Sequence, residues 1–213
     1  MKATAVLPVK RFGVAKQRLT AGVGRARRAA IVSAMLEDVL EAIGDARLVE
    51  RTLVVTGEPL AAELAATVGA EVVADPDEGG HSGAARAGAA RAAELGAEAV
   101  VMLPGDCPLL DPLELDRLLT GLPERFVAVV PDRHGTGTNA LVLAPPNAIA
   151  PSFGEGSRAR HVAAARAAGV PYAVEGLPSL GLDLDTPADV VALTRVLEAD
   201  GGRARRTAKA LGI

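Results

Sequence analysis

Apolar residues in this chain come in short runs that are separated by longer, alanine-rich segments. The runs mostly lack the alternation of polar and apolar side chains that marks a half-exposed strand. Continuous apolar runs of this kind indicate strands that are covered on both faces, as in a parallel sheet. The predicted strands are 3–9, 52–56, 70–74, 99–103, 126–130, 140–144, a weaker 171–174, and 180–184.

Helical segments lie between these runs. Two of them carry a start signal, because Asp111-Pro112 and Thr186-Pro187 each place a capping residue before a proline at the first helical position. Alternating strands and helices predict an α/β fold, a three-layer sandwich with a mostly parallel central sheet. We find no linker or repeat, so we expect a single domain over residues 1–213. The predicted helices span about 24–43, 58–68, 82–95, 111–120, 157–168 and 186–199.

Composition narrows the possible functions. Three phenylalanines and one tyrosine are the only aromatic residues besides histidine, so the core must consist mainly of Ala, Val and Leu. The net charge of −3 argues against non-specific nucleic-acid binding, and a single cysteine excludes a disulfide framework or a multi-cysteine zinc site. No segment approaches the roughly 18 apolar residues of a membrane span. We expect a cytoplasmic protein without nucleic-acid or membrane partners, with the basic residues of 203–209 on the solvated face of a short terminal helix.

Three aspartates follow predicted strands. Asp106 comes where the 99–103 strand ends, at the sheet edge where α/β proteins bind ligands. In a strand over 180–184, Asp183 and Asp185 would point to the same side, where a cation between them would relieve their repulsion. Carboxylates together with substrate phosphates are typical ligands of Mg²⁺. Alternatively, Asp185 caps the helix that begins near residue 186, and Asp183 is merely exposed.

A basic segment follows the first strand. Lys10, Arg11, Lys16 and Arg18 lie within a loop that leaves the carboxyl end of that strand, and four positive charges there suit a polyphosphate. The alternative is an ordinary solvated loop. The chain has neither the P-loop motif nor the glycine fingerprint of dinucleotide-binding folds after this strand.

Two later loops, 134–141 and 152–161, are rich in glycine and small polar residues. Glycines let the backbone approach a ligand closely, and the free N–H groups at a helix start can bind an anion. Ser157 could instead simply cap the helix, and Thr138 could close a hairpin turn. We interpret His161 as structural, and Cys107 as a small packing residue.

In order and spacing, five segments resemble the guanylyltransferases of coenzyme F-420 (deazaflavin) biosynthesis. The resemblance covers roughly residues 4 to 195. It implies a Rossmann-like nucleotidyltransferase fold of the GT-A type. It also implies transfer of GMP from GTP to a phosphorylated three-carbon acid, with release of pyrophosphate. The segments are PVKRFGVAKQRL, LPGDCPLL, GTGTNAL, FGEGSRARH and DLDTPAD.

The resemblance also implies roles for individual residues. Asp106, Asp183 and Asp185 match the family's Mg²⁺ ligands, and Lys16 and Arg18 fall in its loop near the GTP phosphates, to which the charge pattern adds Lys10. The acceptor-acid site is matched by Thr138, Gly154 and Ser157.

One position departs from the family pattern. Where the family commonly has Gly-Leu-Asn near the nucleotide, this chain has Gly80-His81-Ser82. The abundance of Ala, Arg and Gly suggests a GC-rich genome, such as that of an actinobacterium, in which the family acts on phosphoenolpyruvate. We therefore expect phosphoenolpyruvate as the acceptor, before 2-phospho-L-lactate. Alternatives are another GT-A nucleotidyltransferase, of the molybdenum-cofactor or sugar-phosphate type, or a non-catalytic nucleotide-sensing domain.

Overall fold

The computed structural model describes residues 2–12, 24–75, 80–199 and 202–213. Its strands are β1 Ala3–Val9, β2 Val49–Thr56, β3 Glu71–Ala74, β4 Ala99–Met102, β5 Phe126–Pro131, β6 Thr138–Ala144 and β7 Tyr172–Val174. Its helices are α1 Arg25–Asp45, α2 Pro59–Thr67, α3 Gly80–Glu94, α4 Pro112–Leu119, α5 Ser157–Ala167, α6 Pro187–Ala199 and α7 Arg205–Leu211, with a 3₁₀ turn at Pro178–Leu180.

The strands form one sheet in the order β3-β2-β1-β4-β6-β5-β7. β1 pairs in parallel with β2 and β4, β2 with β3, and β5 with β7, whereas β6 runs antiparallel to both of its neighbours. The predicted mostly parallel sheet is therefore confirmed. The carboxyl ends of the parallel strands β1 to β4 all meet at one edge.

Helices cover both faces of this sheet. Ala5 and Leu7 of β1 belong to a cluster with α1, α2, α4 and α6, whereas Val6 between them packs with α3 on the opposite face, in the cluster to which α5 also contributes. Alternate side chains of one strand thus enter different layers, which explains why the strands read as continuous apolar runs. The three-layer sandwich is confirmed, and its core is built largely from Ala, Val and Leu as composition required.

The two helix starts predicted from a capping residue followed by proline both form, but the side chain that caps the helix is the predicted one only at α4. At α4, the Asp111 side chain accepts a hydrogen bond from the Leu113 N–H at 2.8 Å, and Pro112 opens the helix. At α6, Pro187 also opens the helix, but the carboxylate that binds the preceding N–H groups belongs to Asp189 in the first turn.

The predicted strand over 180–184 is wrong. Leu180 ends the 3₁₀ turn, and residues 182–185 belong to neither a helix nor a strand. A backbone hydrogen bond from the Leu184 N–H to the Asp106 carbonyl at 3.3 Å ties them to the loop that follows β4. Apolar–polar alternation describes an extended backbone equally well with or without a neighbouring strand, so the pattern could not distinguish the two.

The basic terminal helix forms as α7, and its basic residues Arg205, Arg206 and Lys209 are exposed as predicted, while other contacts join the helix to α1. Arg206 pairs with Asp38, Glu37 and Glu41 of α1, and Thr207 donates both its N–H and its hydroxyl to Asp38 at 2.8 and 2.7 Å. These bonds fasten α7 to α1. In the part of the chain that is described, no helix is both long and apolar enough to cross a bilayer.

Candidate active site at the carboxyl edge of the sheet

A cavity of about 320 Å³ opens at the carboxyl edge, between the ends of β1 and β4. Lys10, one residue past β1, lines it together with Asp106, which follows β4. Asp185 and His81 also contribute to the walls. Because β1 and β4 are parallel neighbours, residues far apart in sequence reach one cavity, with a cation and two carboxylates on its walls. Cys107, by contrast, is fully buried, as expected of a packing residue.

The three predicted metal ligands lie near one another. Burial raises the pKa of Asp183, and the neighbouring charges of Asp106 and Asp185 raise it further against the opposing effects of a backbone hydrogen bond and Arg133. The carboxylates of Asp106, Asp183 and Asp185 are therefore close enough for their negative charges to repel one another. Across 2–12, 24–75, 80–199 and 202–213, however, no three His, Cys, Asp or Glu side chains are arranged so that they could hold a metal ion. The three-carboxylate metal site therefore stays a prediction.

Asp189 organises the segment that carries Asp185. Only 4% of its surface is exposed, and its carboxylate accepts the N–H of Asp185 at 2.9 Å and both the N–H and hydroxyl of Thr186 at 2.7 and 2.9 Å. Burial favours the neutral form, but hydrogen bonds from Arg133, Thr186 and the backbone outweigh it and lower the pKa of Asp189 to about 2. Sequence reasoning did not single out this role. The Thr-Pro-Ala-Asp spacing, which is that of a capping box, could have revealed it.

The basic segment after β1 is described only as far as residue 12, so Lys16 and Arg18 lie outside the described residues. Its first part is anchored to β2: Thr56 donates its hydroxyl to the Val9 carbonyl at 2.8 Å, and the Phe12 N–H donates to Glu58 at 2.9 Å. The Glu58 N–H in turn donates to the Thr56 hydroxyl. These two side chains hold the strand end that presents Lys10, and the sequence interpretation did not include them.

A smaller cavity of about 100 Å³ adjoins the first one. Lys10 and His81 belong to both cavities, while Gly57, Asp75 and Gly80 come from the ends of β2 and β3 and the start of α3. Partial burial lowers the pKa of His81, with Asp106 opposing the shift and Lys10 adding to it. The edge therefore offers two connected compartments, of which only the larger contains the carboxylates Asp106 and Asp185.

The two small-residue loops meet beside this region. Thr138 begins β6, Ser157 begins α5, and the Ser157 hydroxyl donates to the Thr138 hydroxyl oxygen at 3.1 Å. Arg158 reinforces the contact through the Gly135 carbonyl at 2.8 Å. Ser157 is fully buried whereas Thr138 is half-buried. Gly154, the third predicted acceptor residue, is exposed with a φ of +104°, a backbone conformation that favours glycine.

Loop 152–156 is held from two directions. Arg160 of the following helix α5 donates to the carbonyls of Ser152 and Phe153 at 3.1 and 3.0 Å and to that of Glu155. From α3, the Ser82 hydroxyl accepts the Phe153 N–H at 2.8 Å, and the rings of Phe153 and His81 meet edge to face at 4.6 Å. Ser82, which stands where the family commonly has an asparagine near the nucleotide, thus binds this loop. Only the fold could reveal a contact across 71 positions.

The family described as "Guanylyl transferase CofC like" matches residues 3–213. The chain belongs to this family. A relative from Conexibacter woesei, named phosphoenolpyruvate guanylyltransferase, is 45% identical over 97% of this chain and 94% of its own length. A relative from Phenylobacterium zucineum, named 3-phospho-D-glycerate guanylyltransferase, is 39% identical over 98% of this chain and 95% of its own. The family inferred from five sequence segments is confirmed, and with it an enzyme of the guanylyltransferase class.

Solved structures agree in fold. A nucleotidyl transferase from Methanothermobacter thermautotroptrophicus superposes with a TM-score of 0.66 at 17% identity, covering 93% of this chain and 99% of that one. A protein from Mycobacterium tuberculosis H37Rv in complex with manganese has a TM-score of 0.57 at 20% identity, covering 92% of this chain and 99% of that one. These similarities confirm the nucleotidyltransferase fold.

Proposed function

We propose that this guanylyltransferase transfers GMP from GTP to phosphoenolpyruvate and releases pyrophosphate, as a step in deazaflavin coenzyme biosynthesis. The observation that carries the proposal is the cavity at the carboxyl edge, which Lys10, Asp106 and Asp185 line together with His81, whose ring contacts Phe153 of the loop before Ser157. A cation suits a triphosphate, the carboxylates suit a metal that bridges phosphates, and small polar loops suit a compact acid. The relative named phosphoenolpyruvate guanylyltransferase supports the choice of acceptor.

The reaction needs no general base. The phosphate of phosphoenolpyruvate has a second pKa of about 6 and is largely ionised near neutrality, so its oxygen is already nucleophilic. That oxygen attacks the α-phosphorus of GTP and forms a new P–O bond, while the bond to the bridging oxygen of the β-phosphate breaks and pyrophosphate leaves with the electron pair. Catalysis then consists of bringing two polyanions together in line, through positioning and charge.

The residues fit Mg²⁺ as the metal. Asp106 and Asp185 offer hard carboxylate oxygens on one cavity, and Mg²⁺ usually takes one or two carboxylates together with substrate phosphates. A bound Mg²⁺ would neutralise the triphosphate and stabilise departing pyrophosphate. Asp183 adds negative charge beside them, and the manganese complex of a neighbour with this fold supports a divalent ion.

The remaining residues divide between the two substrates. Lys10, with Lys16 and Arg18 of the following segment, contacts the GTP phosphates, and the smaller cavity beyond Lys10 receives part of the nucleoside. Thr138 and the backbone at Gly154 bind the acceptor acid, and the buried Ser157 holds Thr138 through the hydrogen bond between their hydroxyls. Phosphoenolpyruvate and 2-phospho-L-lactate differ only in a planar or tetrahedral C2 and a methylene or methyl group, which such a site separates by only about 1–3 kcal/mol. 3-phospho-D-glycerate differs more, because its phosphate is attached to C3.

Pyrophosphate release from GTP and Mg²⁺ with each of the three acids tests the proposal. We expect the highest kcat/KM with phosphoenolpyruvate, and no turnover in excess EDTA. Asp106→Asn and Asp185→Asn should each reduce turnover by orders of magnitude without unfolding. Asp45→Asn, an exposed substitution at the end of α1 on the opposite edge of the sheet, is the matched control and should behave as wild type. Full turnover in EDTA, or faster turnover with ATP than with GTP, would contradict the proposal.

A further inference from the structure

Both ring nitrogens of His161 are used in the fold. His161 lies in α5, is fully buried, and accepts the Ser152 backbone N–H on Nε2 at 2.9 Å. Its Nδ1 lies 3.1 Å from the Thr138 hydroxyl oxygen. A backbone N–H can only donate, so Nε2 must carry a lone pair. The proton of the neutral ring therefore sits on Nδ1 and is donated to Thr138.

This arrangement determines what the Thr138 hydroxyl can do. Its oxygen has two lone pairs, one facing His161 Nδ1–H and the other facing the Ser157 hydroxyl at 3.1 Å. Because buried donors occupy both acceptor positions, the Thr138 hydroxyl can still donate its own proton to a third group. Thr138 is half-buried whereas Ser157 and His161 are fully buried, so Thr138 is the member of the group that a ligand can approach.

We propose that His161 is a positioning residue for the acceptor acid: its Nδ1–H holds the Thr138 oxygen so that the Thr138 hydroxyl donates to an anionic oxygen of the acid. The inference rests on the proposed function, because it takes Thr138 to contact the acceptor. His161 transfers no proton in this role, since both of its nitrogens are engaged and neither reaches the substrate. Its effect on catalysis passes through Thr138.

Packing alone does not account for a histidine here. The ring meets Phe153 edge to face at 5.2 Å, a contact that a phenylalanine could also make without burying two polar atoms. The environment also preserves the required tautomer. Burial, with a smaller effect of Arg160, lowers the pKa of His161 to about 4, so the ring is neutral at physiological pH.

Two isosteric variants separate the two nitrogens. Asparagine can place an amide N–H near the position of Nδ1, whereas glutamine can place an amide oxygen near the position of Nε2. We expect His161→Gln to raise the KM for phosphoenolpyruvate by about ten-fold or more, as loss of one hydrogen bond to a charged ligand does, with the KM for GTP unchanged. His161→Asn should keep the acceptor KM within about three-fold of wild type, although it leaves the Ser152 N–H without its partner and lowers the melting temperature.

A double-mutant cycle with Thr138→Val distinguishes positioning from packing. If His161 acts through Thr138, His161→Gln has no further effect on the acceptor KM once the hydroxyl is gone. A packing role would instead give additive effects, and additive effects would overturn the inference. So would an unaltered acceptor KM in His161→Gln, or an equal rise in the KM for GTP.

Failure of the proposed function has a different signature. Wild-type protein that releases no pyrophosphate from GTP with any of the three acids would refute that function. Calorimetric titration of phosphoenolpyruvate into wild type and both variants needs no turnover and makes the same comparison of affinities. Equal affinity of wild type and His161→Gln, or no binding to wild type, would refute the role of His161.

Discussion

Gly88 on the buried face of α3 permits a close approach of this helix to the sheet. A Cβ atom at this position would lie 2.2 Å from Cγ1 of Val6 and 3.0 Å from Cγ2 of Val55. Carbon atoms pack at about 3.5–4.0 Å, so Gly88→Ala requires a shift of about 1 Å or more between α3 and β1. Strain of this kind costs about 1–3 kcal/mol.

Helix propensity acts in the opposite direction and must be separated from strain. Replacing glycine by alanine inside a helix stabilises it by roughly 0.5–1 kcal/mol when there is room. Gly83 of the same helix is the matched control, because its nearest neighbour atom would be 4.0 Å from the new Cβ. We expect Gly83→Ala to stabilise the protein, Gly88→Ala to destabilise it, and the two free energies of unfolding to differ by about 1–3 kcal/mol, which is the strain alone.

Urea denaturation of both variants measures this difference. Val6→Ala removes Cγ1 of Val6, the atom that the new methyl group would approach most closely, so Gly88→Ala should be less harmful in that background by about 1 kcal/mol or more. Because α3 also presents His81 and Ser82 to the 152–156 loop, the strained variant should show a raised acceptor KM as well. Gly88→Ala as stable as Gly83→Ala, or equally harmful with and without Val6, would refute the packing argument.

Two further predictions concern the buried titratable groups. The pKa of His161 is about 4 in the folded protein, against 6.5 in the unfolded chain. As the pH falls, the unfolded chain therefore binds a proton at this position before the folded protein does. This difference should cost wild type about 2–3 kcal/mol of stability between pH 7.5 and 4.5. Denaturant midpoints at the two pH values should show a smaller loss in His161→Gln, and an identical loss would contradict the assignment. Asp189→Asn removes the charged acceptor of the Asp185 and Thr186 N–H groups and the partner of Arg133. It should lower stability by about 2 kcal/mol and reduce kcat, as measured by thermal unfolding and pyrophosphate release, whereas wild-type values for both would refute its positioning role.

The sequence alone determined where most of the strands lie and which edge of the sheet holds the candidate site. Runs such as 99–103 are apolar throughout because each face of the sheet is covered by helices. Both alternate side chains of such a strand must then be apolar, and this is visible in consecutive residues of the sequence. Asp106 could be placed at the ligand-binding edge by the same reasoning, since it follows the end of a buried strand. The family, too, was recognisable from short ordered segments. Local patterns predict these features because the burial of a strand and the position of its carboxyl end are reflected in residues that are adjacent in sequence.

Only the tertiary structure decided how the candidate site is assembled. The alternation around Asp183 predicted a strand, but whether an extended segment joins a sheet depends on what lies beside it. Likewise Ser82 is hydrogen-bonded to Phe153, and His161 to Thr138, across elements that are distant in sequence. Such a bond depends on distances of about 3 Å and on which lone pairs are free. Those quantities are set by the packing of helices against the sheet, to which many residues contribute together.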